Sequence, residues 1–185
     1  FDPQRPFVVV GGHLDTVPDS PGANDNASGV AVMIELARMT AVEPPKLPVV
    51  FVAFGAEERR RSGSHSHTAT GSRAFLASLG KSRANIRAGI IVDMVGSGTR
   101  IYVVGRGAPR RLALAAAGRL GIGTATAGTK LYSDHVAFSA YGIPAVWLWS
   151  GDHPSLHTPR DVTSVVRARD LERAGLIAWE TLRGL

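Results

Sequence analysis

The 185-residue chain has no cysteine, which excludes disulfides, thiolate metal ligands and a cysteine nucleophile together. Any metal bound here has to be held by histidine and carboxylate. No segment approaches the roughly twenty consecutive apolar residues that a membrane helix needs, and the sequence reads as a soluble globular protein. There is no Gly-x-Ser-x-Gly elbow, so Ser133-Asp134-His135 is not read as a serine triad; a structural role near a site suits it better. An initiating methionine and a signal sequence are also missing. The chain opens at Phe1 and enters an apolar run within a few residues, so its start reads as processed or cut, with targeting information gone.

The composition that remains is that of one domain, with 44% hydrophobic and 19% charged residues. The net charge of +6 does not imply nucleic acid, because the arginines are scattered rather than striped. The one dense run, Arg59-Arg60-Arg61, falls in a polar, Ser-rich stretch from Arg59 to Thr70 that reads as a surface loop.

Apolar runs at Phe7–Val10, Pro48–Phe54, Ala88–Val92, Ile101–Val104 and Ala145–Leu148 read as strands. The first is expected to end in a tight turn at Gly11-Gly12, and the second to be a central strand covered on both faces. Helical spacing predicts helices over Val30–Met39, capped by Ser28, from about Ser72 to Leu79, and over Arg110–Leu120 and Arg169–Arg183. Strands alternating with helices imply an α/β sandwich without internal repeats or an interdomain linker.

Chemistry-bearing residues fall just beyond strand ends: His13 and Asp15, Asp25, Glu57 and Glu58, and Asp93, with His157 arriving from a later loop. In an open α/β sheet the carboxyl ends of the strands form the rim where sites assemble. Several carboxylates converging there would be driven to protonate unless cations sat among them, and two divalent ions supply the compensation. Zinc suits imidazole and carboxylate donors, although manganese or cobalt would accept the same set. His65 and His67 read as exposed and inert, His153 as a spare ligand at most, and Trp147 and Trp149 as core or pocket wall.

Gly12-His13-Leu14-Asp15, Gly22 to Gly29 (Gly-Ala-Asn-Asp-Asn-Ala-Ser-Gly), Ala56-Glu57-Glu58, Asp93, Ser133-Asp134-His135 and His157-Thr158 closely resemble, in order, the M28 family of co-catalytic zinc aminopeptidases. The resemblance implies a zinc-exopeptidase-like three-layer sandwich: a mixed, mostly parallel sheet covered by helices on both faces. It implies a single catalytic domain over residues 1–185, N-terminally incomplete, that is secreted or extracytoplasmic. It assigns His13 and Asp93 to one zinc, Glu58 and His157 to a second, and Asp25 to both. Glu57 becomes the general base that takes a proton from a shared water and returns it to the leaving amine. Asp15 accepts the free imidazole N–H of His13 and fixes its tautomer. The implied substrate is a peptide with a free N-terminus.

Three features depart from the family pattern. Leu156 stands where many members place a tyrosine before the last histidine, which turns attention to Tyr132 as a substitute oxyanion donor. The stretch from Arg59 to Thr70 is longer than usual, and segments that ordinarily precede the His-x-Asp strand are not seen, which would leave an exposed sheet edge. Other readings are an M20-type deacylase or carboxypeptidase, compatible with His13 to Pro18, a single-zinc glutaminyl cyclase-like enzyme, and a metal-binding but inactive domain.

Overall fold

The computed structural model describes residues 2–58, 69–127 and 132–185. Six strands form one sheet: β1 (Phe7–His13), β2 (Val49–Phe54), β3 (Ile86–Val92), β4 (Ile101–Gly105), β5 (Thr124–Ala125) and β6 (Ala145–Trp149), in the order β2-β1-β3-β6-β4-β5. All neighbours run parallel except β4 and β6. Among the described residues five α-helices cover the sheet: α1 (Ser28–Val42), α2 (Thr70–Ser78), α3 (Gly107–Leu120), α4 (His135–Ala140) and α5 (Ala168–Gly184).

Alternation along β1 divides the core. Val8 and Val10 join Ile90, Leu148 and the apolar faces of α1, α3 and α5 on one side. Phe7 and Val9 join Ile91, Trp147, Leu76 of α2 and Phe138 of α4 on the other. Period-two side chains thus bury both faces of the central strands, and each fully buried valine contributes roughly 1.5–3 kcal/mol. No helix among the described residues is long and apolar enough to cross a membrane.

The architecture is the expected mixed, mostly parallel sheet with helices on both faces, and four local expectations change. First, β1 runs through Gly11 and Gly12 to His13 instead of turning before them. A Cβ at Gly12 would meet the Val92 carbonyl and the Asn26 amide, so this glycine permits a close approach of chains where a turn was expected. Second, β2 is an edge strand, with Val49 to Val52 half-buried and Ala53 exposed, because an apolar run does not distinguish an edge from a centre.

Third, Ser28 is the first residue of α1 and does not cap it; its hydroxyl donates to the Asn24 carbonyl at 2.6 Å and accepts from the Val95 N–H at 3.0 Å. Fourth, β5 and α4 went unforeseen, being two and six residues long, too short to show a period. The expected loop from Arg59 to Thr70, with Arg59-Arg60-Arg61, His65 and His67, lies outside the described residues up to residue 68. Thr70 itself opens α2.

Candidate metal centre

The parallel strands β1, β2, β3 and β6 bring their carboxyl ends to one rim. His13 is the last residue of β1, and Asp93 directly follows β3. Glu57 and Glu58 lie just beyond β2. Asp25 sits in the turn of Ala23–Ala27 that leads into α1, and His157 in the segment between β6 and α5. All but His157 are buried, at 1% exposure for His13, 3% for Asp25, 3% for Glu57, 7% for Glu58 and 4% for Asp93.

The Asp25 carboxylate divides the cluster. Its Oδ1 lies 3.1 Å from His13 Nε2, which is also 3.3 Å from Asp93 Oδ1. Its Oδ2 lies 3.0 Å from His157 Nε2, which is 2.9 Å from Glu58 Oε1. Two groups of one imidazole and one carboxylate therefore share Asp25 through opposite oxygens. His13, Asp25 and Glu58 each offer a donor atom within 4.8 Å of one another, which is ligand spacing for a small divalent ion.

Electrostatics call for positive charge at the same place. Burial, the strongest influence on His13, lowers its pKa, yet Asp93 and Asp25 together raise it well above the ordinary histidine value. The hydrogen bond to Asp25 raises His157 as well. Burial opposes ionisation of Asp25, but His13 and His157 hold it well below the usual carboxylate range. The carboxylates that favour positive charge on the two imidazoles would equally favour a cation bound by the same donors, whose binding releases protons. The donor set is nitrogen and oxygen with no sulfur, as zinc accepts.

The sequence profile of peptidase family M28 matches residues 2–182. The chain belongs to peptidase family M28. It is 33% identical to aminopeptidase YwaD of Bacillus subtilis over 91% of its own length and 39% of that protein's. Among solved structures, BSAP, a zinc aminopeptidase from Bacillus subtilis, superimposes with a TM-score of 0.87 at 28% identity, covering 98% of this chain and 46% of that one. An aminopeptidase from Aneurinibacillus sp. strain AM-1 gives 0.82 at 31% identity, over 96% and 43%. This M28 chain thus spans less than half the length of these relatives.

The residues around the donors in this M28 chain differ in one respect from expectation. The contact to His13 Nδ1 comes from the main-chain carbonyl of Asp15, at 2.9 Å, while the nearest carboxylate oxygen of Asp15 is 3.9 Å away. That carboxylate instead accepts the main-chain N–H groups of Glu57 at 3.0 Å and Glu58 at 3.1 Å. A carbonyl accepts only, so it selects the Nδ1–H tautomer and leaves Nε2 facing Asp25 and Asp93. The Asp15 side chain orients the Glu57-Glu58 turn.

Other residues of the family motifs support the donors. Asn26 Oδ1 accepts the N–H groups of Gly29 and Met94, and its amide donates to the Val92 carbonyl, stitching the Asp25 turn to the end of β3. Ser133 Oγ donates to Asp93 Oδ2 at 2.7 Å, the structural role expected of its segment. Asp134 is wholly buried, and burial pushes its carboxyl up to about 7. His135 stacks on Trp147 and is pushed down to about 4 by burial, hence neutral. Ala56, Met94 and His157 adopt positive φ of 55°, 53° and 57°, an unfavourable conformation for side-chain-bearing residues that is held by its surroundings.

A cavity of about 130 Å³ opens onto the donors, and Met94, Trp147, Trp149 and Leu156 form its apolar wall. Tyr132 lines the same cavity, with its hydroxyl 3.5 Å from Arg73 Nη2. His153 does not line this cavity, and its Nδ1 is bonded to Ser155.

Proposed function

We propose that this chain carries a two-metal aminopeptidase site that removes the first residue of peptides with a free N-terminus. The observation that supports it most is the partition of the Asp25 carboxylate between a His13–Asp93 group and a His157–Glu58 group. On this reading His13, Asp93 and Asp25 would hold one zinc, and Glu58, His157 and Asp25 would hold the second. When bound, zinc supplies Lewis-acid polarisation of the substrate carbonyl and a water acidified toward neutrality.

The chain's own groups do the rest. Glu57, beside Glu58 and lining the cavity, takes the proton of the attacking water and passes it to the leaving amine, as a positioned carboxylate does. Asp15 holds the Glu57 main chain, so that this base keeps its direction. Tyr132 donates to the oxyanion in place of the residue that Leu156 does not supply. Carboxylates facing the cavity receive the substrate's ammonium group, and Met94, Trp147 and Trp149 receive the first side chain, which favours apolar residues.

Metal analysis paired with aminoacyl arylamides, each with a free and a blocked amine, tests this function. The expected result is two zinc ions per chain, turnover of the free-amine leucyl compound and loss of turnover on blocking. Absence of bound zinc, or equal turnover of blocked substrates, would overturn it.

A further inference from the structure

We propose that Asp161 is a positioning residue that aims the Asp25 carboxylate at both metal positions; the inference rests on the two-metal reading above. Asp161 is wholly buried and lies four residues beyond His157. Its Oδ1 accepts the N–H of Asn24 at 2.9 Å and its Oδ2 the N–H of Asp25 at 3.0 Å. Its main-chain carbonyl accepts the N–H of Ala23 at 3.0 Å, and its own N–H donates to the Thr158 carbonyl at 3.1 Å. Three successive amides of the Asp25 turn are thus held by one residue, which is itself tied to the neighbour of His157.

These amides stand at the start of a helical turn, where main-chain N–H groups have no partner within the helix. A carboxylate accepts two of them through charge-assisted hydrogen bonds. Asp15 does the same for Glu57 and Glu58, so the turns that bear Asp25 and Glu58 are each gripped by a carboxylate outside the donor set. The consequence is larger at Asp25, because its two oxygens serve different groups, and a small rotation of its main chain misdirects both.

The substitution Asp161→Asn keeps one acceptor and points an NH₂ at the other amide. Asp161→Glu keeps charge and acceptors but displaces them by one methylene. The control is Asp170→Asn in α5, which removes another buried carboxylate, one paired with Arg173 at 3.4 Å and outside the lining of the donor cavity. Chelated protein is titrated calorimetrically with zinc, amide exchange is followed at residues 23–25, and thermal midpoints are recorded.

Asp161→Asn is expected to weaken zinc binding about 10- to 100-fold, the usual effect of losing a group that orients a ligand, and to speed exchange at Asp25. Asp161→Glu falls between it and the parent chain, and it carries the comparison if Asp161→Asn does not fold. Asp170→Asn lowers the midpoint while its zinc titration matches the parent's. Parent-like zinc binding in both Asp161 variants, or zinc loss in Asp170→Asn that tracks its stability equally, would overturn the inference while leaving the two-metal reading standing. A parent chain that takes up a single zinc would remove both.

Discussion

Tyr132 and Leu156 share the wall of the donor-lined cavity, which makes the oxyanion donor a question about one hydroxyl. Tyr132→Phe removes that hydroxyl and keeps the ring. On the proposed assignment kcat for a leucyl arylamide falls about 100-fold, the loss usual for one oxyanion donor, while KM moves little. An unchanged kcat would move the role elsewhere. His13, Glu58 and Asp93 were marked in the sequence by their places just beyond apolar runs, whereas Asp25, in the turn into α1, and His157, in a later segment, were identified as donors through the family resemblance. The grip of Asp15 on Glu57 and Glu58 was not legible there, since sequence does not say whether a residue acts through its side chain or its carbonyl. Asp161 was invisible for a similar reason: an aspartate in a polar segment looks like any solvated loop residue until its burial is known.

The turn before α1 shows what an element contributes. Gly29 in its first turn approaches β3 so closely that a Cβ there would collide with the Val92 carbonyl and the Asn26 side chain. Gly118 in α3 has open space around the same position. Gly29→Ala is therefore expected to cost about 1–3 kcal/mol through overpacking and to weaken metal binding by displacing the Asp25 turn. Gly118→Ala should stabilise by about 0.5–1 kcal/mol through helix propensity. Urea denaturation of both variants checks the opposite signs. Strand and helix positions were legible from period and apolar runs. The edge placement of β2 and the continuation of β1 to His13 were not, because both are decided by what lies alongside the strand.

At the scale of the molecule, the parallel strands do the assembling. Five candidate ligands spread from His13 to His157 meet because β1, β2 and β3 end on one rim and the segment after β6 returns to it. Alternating strands and helices made that rim foreseeable, and the family resemblance implied that Asp25 serves both groups; which of its oxygens faces which imidazole is seen only in the structure. Removal of Glu57's acidity tests the account most directly. Glu57→Gln, assayed for zinc content and for turnover of a leucyl arylamide, should retain two zinc ions per chain and lose about 100-fold or more in kcat, whereas Glu58→Ala should lose metal. Turnover by Glu57→Gln equal to that of the parent chain would contradict the assignment of Glu57 as the base.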